Sequence, residues 1–318
     1  MRGVFLDLDS LDRGDLDLTR FRRCLDDWQF HGRTGTDAIA ERIAAAEVVV
    51  SNKVMLDAAV LKASPSLQLI CVAATGTNNV DLQAARQHGI TVCNARDYAT
   101  PSVVQHVFAL LLSLTIQLPR YQQAVHEGRW QQSEQFCLLD YPIAELAGKT
   151  LGVIGYGVLG HAVAQAARAF GMQVMIADHK GQVPRAGRLA FEQVLQQADA
   201  ITLHCPLTPQ TQGLIGAPEL AMMKPTAILI NAARGGIVHE QALVDALRQN
   251  VIAAAGVDTL TTEPPLGGNP LLEAGLPNLI VTPHIAWASR ESRQRLVNDV
   301  EQNILAFKQG NARNVVEA

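Results

Sequence analysis

The chain has 318 residues, 48% of them hydrophobic and 18% charged, which leaves room for two domains with cores of their own and excludes extended disorder. A formal net charge of −4 gives no reason to expect nucleic acid or an anionic membrane surface as a partner. Five cysteines, Cys24, Cys71, Cys93, Cys137 and Cys205, lie scattered without CxxC or metal-like spacing, which argues against a disulfide framework or a metal site and fits a reducing cytoplasm.

The N-terminal segment MRGVFLDLDS lacks the long apolar core of an export signal. Short apolar strands are expected at 4–7, 48–51, 69–73 and 91–93, separated by helical patterns at 37–46 and 80–87. That alternation predicts a small parallel sheet with helices on both faces, flavodoxin-like in outline. Pro101 follows Thr100 at a first helical position and opens a long helix, 101–118, expected to link two domains. The apolar run 107–116 within it is too short to span a bilayer and is expected to be a buried helix. The stretch 119–145, with Trp130, Phe136 and Tyr141, is irregular and fits a dimerisation arm or a lid, the arm being preferred.

From Thr150 to Asp178 the sequence TLGVIGYGVLGHAVAQAARAFGMQVMIAD spells strand, turn, helix, strand. Gly155 permits the tight turn, Gly157 removes the side chain that would hold a pyrophosphate off the backbone, and Gly160 lets the helix pack on the sheet. Phosphates then meet the free N–H groups of the helix N-terminus. Gly171 supplies a left-handed stop, and 173–177 forms the next strand with Asp178 at its end. An acid there accepts the adenosine ribose hydroxyls and repels a 2′-phosphate, which favours NAD(H) over NADP(H), although His179, Lys180, Arg185 and Arg188 follow closely and soften that preference. A nucleoside site of another kind, such as one for S-adenosylmethionine, is the competing reading.

Further strands at 200–204, 227–231, 253–258 and 279–282 complete a doubly wound sheet. A final amphipathic helix at 289–308 places Leu296, Val300, Ile304 and Phe307 on one face, and this stripe is expected to return to the first domain. The organisation is therefore α/β, with two doubly wound parallel-sheet domains: a flavodoxin-like domain 1–100 completed by 288–318, and an inserted Rossmann domain 101–287 for the dinucleotide.

Chemistry is expected at the carboxyl ends of the second domain's strands. Arg234 follows the strand ILIN and precedes two glycines, so its planar fork of donors can grip a carboxylate. His284, bounded by Pro283 just past the last strand, is placed to give and take one proton. Glu263, in TTEPP, fits the partner that holds one imidazole nitrogen and favours the protonated ring. His106 inside the long helix and His204 inside a strand read as structural, and Lys53 as an ordinary surface lysine.

On GYGVLG at 155–160, NAARG at 231–235, Asp258 with Glu263-Pro264, and TPHIAW at 282–287, the chain resembles the D-isomer-specific 2-hydroxyacid dehydrogenases over essentially its whole length. ATGTNNVD at 74–81 is most similar to glycerate dehydrogenases, also called hydroxypyruvate reductases. The resemblance implies His284 as acid/base, Glu263 as its partner and Arg234 as the substrate-orienting cation, with the backbone at Thr75 and Gly76 binding the substrate carboxylate. It implies cofactor contacts from Gly157, Val158 and Leu159, then Asp178, Pro206, Thr211, Ala232 and Asp258, the last to the nicotinamide amide. Gln105 departs from the glutamate of many relatives, at a position that is not catalytic. The implied activity is reduction of a short 2-oxo acid by NADH, hydroxypyruvate or glyoxylate first, by a cytoplasmic homodimer joined through 101–145. A D-lactate or 3-phosphoglycerate type of dehydrogenase remains open, as does an NADH-sensing protein that binds partners without turnover.

Overall fold

All strand pairs of the computed structural model, which describes residues 1–317, are parallel. The strands β1 (Arg2–Phe5), β2 (Asp27–Phe30), β3 (Val48–Ser51), β4 (Leu69–Val72) and β5 (Thr91–Cys93) form one sheet. Its order, β2-β1-β3-β4-β5, is the flavodoxin order. Six more strands form the other sheet: β6 (Thr150–Ile154), β7 (Gln173–Ala177), β8 (Ala200–Leu203), β9 (Ile228–Asn231), β10 (Ala254–Val257) and β11 (Leu279–Val281). There the order is β11-β10-β9-β8-β6-β7, which reverses direction between β6 and β8 and so makes β6 the switch point of a doubly wound sheet.

Parallel sheets flanked by helices bury both faces, and their strands are continuously apolar for that reason. β3 and β4 are buried at every position, as are β8 and β10. Val4, Leu6, Val49, Ile70 and Val72 anchor the first core against Ile39 and Ile43, while Ile154, Ile201, Leu203, Leu229 and Val257 anchor the second against Val194, Leu243 and Leu247. β2 escapes sequence reasoning because it is a half-exposed edge strand whose DWQF alternates polar with aromatic residues. Trp28 stacks on Phe30 at 5.2 Å and meets Phe21 at 4.9 Å, so aromatic contacts rather than a run of aliphatics hold it.

By its contacts the chain divides into Met1–Ala99 together with the residues from Ala288 onward, and Thr100–Trp287. The C-terminal helix Arg290–Lys308 begins on the Ser289 hydroxyl, which accepts from the Ser292 N–H at 3.2 Å. It packs against β4, burying Leu296, Val300 and Ile304. Arg293 grips Asp15 with both guanidinium ends at 2.8 and 2.7 Å, and Asn303 donates to the Asn94 carbonyl at 2.8 Å.

The helix expected over 101–118 is shorter. It covers Thr100–Thr115, and after a left-handed Gln117 (φ 56°) a second helix, Leu118–His126, leaves at 60°. Pro119 accounts for the break: it has no N–H to continue the first helix's ladder, and in the first turn of the second helix none is needed. The first helix lies on its own unit's sheet, where Gly256 of β10 leaves room for Leu110, and Phe108 stacks on Phe170 at 5.0 Å. Among the described residues no single helix is long and apolar enough to cross a membrane.

Candidate active site

Because the second sheet is wholly parallel, the carboxyl ends of its six strands share one edge, and the glycine turn, Asp178, Arg234, Asp258, Glu263 and His284 each follow one of them. Gly155 ends β6 with φ +90°, and a side chain there would strike the backbone of His204 and Cys205 at 2.5 Å. A Cβ on Gly160 would strike the Gly155 carbonyl, so helix and turn sit in direct backbone contact. Gly157 is the opposite case: nothing lies within 4 Å of where its Cβ would be, directly before Val158, the exposed first residue of helix Val158–Ala169. That open ground beside the N–H groups of Val158, Leu159 and Gly160 suits a pyrophosphate.

At the end of β9, Asn231 builds the turn that carries Arg234. Its buried side chain accepts from the Ala233 N–H at 3.1 Å and donates to the Arg234 carbonyl at 3.0 Å. Arg234 donates through Nη1 to the Ala233 carbonyl at 2.7 Å, which leaves the other guanidinium donors for a substrate. Gly235 lies so close to Leu260 that a Cβ would strike the Leu260 carbonyl. The Arg234 turn is thereby docked onto the loop that bears Glu263. That loop is fixed in turn by the Leu260 N–H, which donates to Glu263 Oε1 at 2.8 Å. The second carboxylate oxygen, Oε2, stands 2.6 Å from His284 Nδ1. Nδ1 is thus committed to the carboxylate, and Nε2 is the ring nitrogen left to meet a substrate oxygen.

His284 has φ +54°, a left-handed conformation that a side-chain-bearing residue adopts at some cost. Asp258 enforces it. The Asp258 carbonyl accepts from the His284 N–H at 2.8 Å, and its carboxylate accepts from the N–H groups of Ile285 and Ala286, each at 2.9 Å. The Thr282 hydroxyl adds a bond at 2.5 Å, and His106 Nε2 lies 3.3 Å away. Burial pushes the Asp258 carboxyl up, but the hydrogen bonds from His106, Thr282, Ala286 and Ile285 outweigh it and hold the group below its ordinary value. Asp258 thus braces the loop that carries His284, and His106, expected to be structural, stands beside it with Nε2 2.9 Å from Thr282 Oγ1.

A cavity of about 330 Å³ adjoins the pair and is lined by Leu260, Pro264, Leu272, Val281, Pro283 and His284 among others.

The remaining residues are placed less directly. Asp178 follows β7 as expected, but its carboxylate is wrapped by Arg185, whose guanidinium holds it well below the usual carboxylate range. Thr211 donates to the Pro206 carbonyl at 2.6 Å and accepts from the Thr208 N–H at 2.7 Å, closing the loop after β8. Ala232 is nearly buried in the Asn231 turn. Thr75 and Gly76 follow β4 in the other unit, where the Thr75 carbonyl accepts from Asn94 Nδ2 at 2.7 Å. His204 bonds Thr202 Oγ1 through Nε2 at 2.9 Å, and burial of the ring drives its pKa down to about 4. Among the described residues no group of three or more His, Cys, Asp or Glu is placed to hold a metal.

The model of the D-isomer-specific 2-hydroxyacid dehydrogenase NAD-binding domain matches residues 108–286. This span contains the glycine turn, Asp178, Arg234, Glu263 and His284. The chain belongs to the D-isomer-specific 2-hydroxyacid dehydrogenases. It is 47% identical to the glycerate dehydrogenase of Methylorubrum extorquens, over 99% of this chain and 98% of that one. It is 40% identical to the hydroxypyruvate reductase of Blautia hydrogenotrophica, over 99% of both. The solved structure of the TT0316 protein from Thermus thermophilus superposes with a TM-score of 0.86 at 33% identity, over 99% of this chain and 100% of that one. As a member of this dehydrogenase family the chain is an oxidoreductase for 2-oxo and 2-hydroxy acids that works with a nicotinamide cofactor. The open ground at Gly157 fits the cofactor's pyrophosphate, and the donors at Arg234 and His284 fit an acid whose carbonyl takes up a proton.

Proposed function

We propose that the chain reduces hydroxypyruvate to D-glycerate, and glyoxylate to glycolate, with NADH. The observation that carries the reading is the 2.6 Å contact between His284 Nδ1 and Glu263 Oε2, with Arg234 docked through Gly235 on the same loop. The names of the similar glycerate dehydrogenase and hydroxypyruvate reductase support the substrate class. The unit Thr100–Trp287 is the proposed dinucleotide domain, with contacts from Gly155, Gly157, Val158, Leu159, Gly160, Asp178, Pro206, Thr211, Ala232 and Asp258. The other unit is the proposed substrate domain, in which the backbone of Thr75 and Gly76 binds the carboxylate.

A dinucleotide held by these residues would supply a hydride to C2 of the oxo acid. Glu263, itself held by the Leu260 N–H, fixes the tautomer and orientation of His284. His284 then donates the Nε2 proton to the carbonyl oxygen as negative charge develops there, and the guanidinium of Arg234 orients the substrate and stabilises that charge. In the reverse direction His284 takes the proton from the hydroxyl.

Phe136 (90% exposed), Leu139 (82%), Ile143 (57%) and Trp130 (52%) leave a large apolar surface on 130–143. We infer that a second copy of the chain covers it, because apolar patches of this kind mark interaction surfaces. A single-chain mass in sedimentation at micromolar concentration would refute this. For the reaction, NADH oxidation is followed at 340 nm with hydroxypyruvate, glyoxylate, pyruvate and phosphohydroxypyruvate. Hydroxypyruvate is expected to have the highest kcat/KM, and His284→Ala to lower the rate by about 10²–10⁴ with NADH affinity retained. A preference for pyruvate or the phosphorylated acid would refute the substrate assignment, and near-normal turnover by His284→Ala would refute the role of the imidazole.

A further inference from the structure

Asp178 is the residue from which a preference against NADPH follows, yet its surroundings do not leave it free to exert one. Its side chain is 2% exposed. Oδ1 accepts from the His179 N–H at 2.9 Å and from Arg185 Nη2 at 2.5 Å, while Oδ2 accepts from the Arg185 N–H at 2.7 Å and from Arg185 Nε at 2.9 Å. A carboxylate offers about four lone-pair sites, and these four donors occupy them. A ribose diol therefore finds no acceptor on Asp178 while Arg185 stays in place. The Arg185 side chain that covers it is 58% exposed, so the outer side of the pair is cationic rather than acidic. Arg188 adds a second guanidinium, with Nη1 4.0 Å from Asp178 Oδ1. Lys180 contributes little, because Glu219 holds its ammonium at 2.7 Å.

One carboxylate thus faces two guanidiniums, and the cluster as a whole is positive. The repulsion expected between Asp178 and a 2′-phosphate is cancelled at its source, and the donors of Arg185 that face away from Asp178 form half of a fork suited to phosphate oxygens.

We propose that Arg185 is the cofactor-selecting residue of this enzyme: it masks Asp178 and, with Arg188, accepts the 2′-phosphate, so that NADPH binds about as well as NADH. The inference rests on the dinucleotide reading of the second unit and deepens it. With NADPH the Asp178–Arg185 pair stays closed and the guanidinium is shared between carboxylate and phosphate. With NADH the pair opens, Arg185 moves into solvent, and Asp178 accepts the ribose hydroxyls. NADH binding therefore carries the cost of breaking a charge-assisted, bidentate contact, and NADPH binding does not.

Fluorescence titration of NADH and of NADPH against the purified protein, with no oxo acid present, tests this on the wild type, Arg185→Ala and Arg188→Ala. The wild type is expected to bind the two within about tenfold of each other, since the loss or gain of one charge-assisted contact is of that order. Arg185→Ala is expected to weaken NADPH by about tenfold to a hundredfold and to tighten NADH, moving the ratio of the two Kd values by more than either change alone. Arg188→Ala weakens NADPH without tightening NADH. Arg185 is exposed, so its removal leaves the core untouched. A wild type that binds NADH more than about a hundredfold tighter, or an Arg185→Ala protein with the wild-type ratio, overturns the proposal. Binding of neither nucleotide overturns the dinucleotide reading itself. Turnover does not enter the measurement, so failure on the oxo-acid panel is a separate result.

Discussion

Asp258→Asn changes a carboxylate to an amide of the same shape, and the network around it sets what is lost. Three donors converge on the carboxylate, Thr282 Oγ1 and the Ile285 N–H on Oδ1 and the Ala286 N–H on Oδ2, while His106 Nε2 stands 2.9 Å from Thr282 Oγ1 and 3.3 Å from Oδ1. Whichever way the amide is turned, its NH₂ faces a backbone N–H, either that of Ala286 or that of Ile285. One hydrogen bond to a charged acceptor disappears and one N–H of a tight, half-buried loop is left unsatisfied, which together destabilise by about 2–3 kcal/mol. For a domain of this size that corresponds to a fall in Tm of roughly 4–12 °C. The same loop holds His284 at φ +54°, and a relaxation of about 1 Å in the position of a reacting group lowers the rate on the order of a hundredfold. Differential scanning calorimetry and steady-state turnover of hydroxypyruvate measure the two effects on one preparation. An Asp258→Asn protein with wild-type Tm and wild-type kcat would refute the reasoning, because the loop would then hold its shape without the carboxylate.

Two other perturbations separate folding from function. Gly157 has ordinary φ of −85° and open space where a Cβ would point, so Gly157→Val is expected to melt within about 2 °C of the wild type, as surface changes do, while NADH binding weakens severely. Retained NADH affinity would show that the pyrophosphate does not sit there. His204 has a pKa of about 4 in the folded chain against an ordinary 6.5. Between these values the unfolded chain binds more protons, so stability is lost as the pH falls from about 6.5 towards 4, by up to about 3 kcal/mol, with no contribution at higher pH. Urea denaturation across that range should show a shallower acid slope for His204→Gln, and an unchanged slope would mean that the ring is neither buried nor neutral.

What could be read from the chain alone was whatever is local in sequence. A parallel strand buried on both faces must be continuously apolar, so nearly all of the strands were visible. The half-exposed edge strand DWQF at Asp27–Phe30 was not. The glycine turn at 155–160 was legible because each glycine answers a steric demand within a few residues of itself. Arg234, Glu263 and His284 were legible because each directly follows a strand end or its loop. The tertiary structure decided how distant groups share hydrogen bonds. Nothing in the order of residues announces that Asp258 braces the left-handed His284, that Gly235 docks the Arg234 turn on the Glu263 loop, or that Arg185 closes over Asp178. Each depends on where two loops meet after the sheet has formed, and hydrogen bonds and charge act over a few ångströms of space with no regard to separation along the chain.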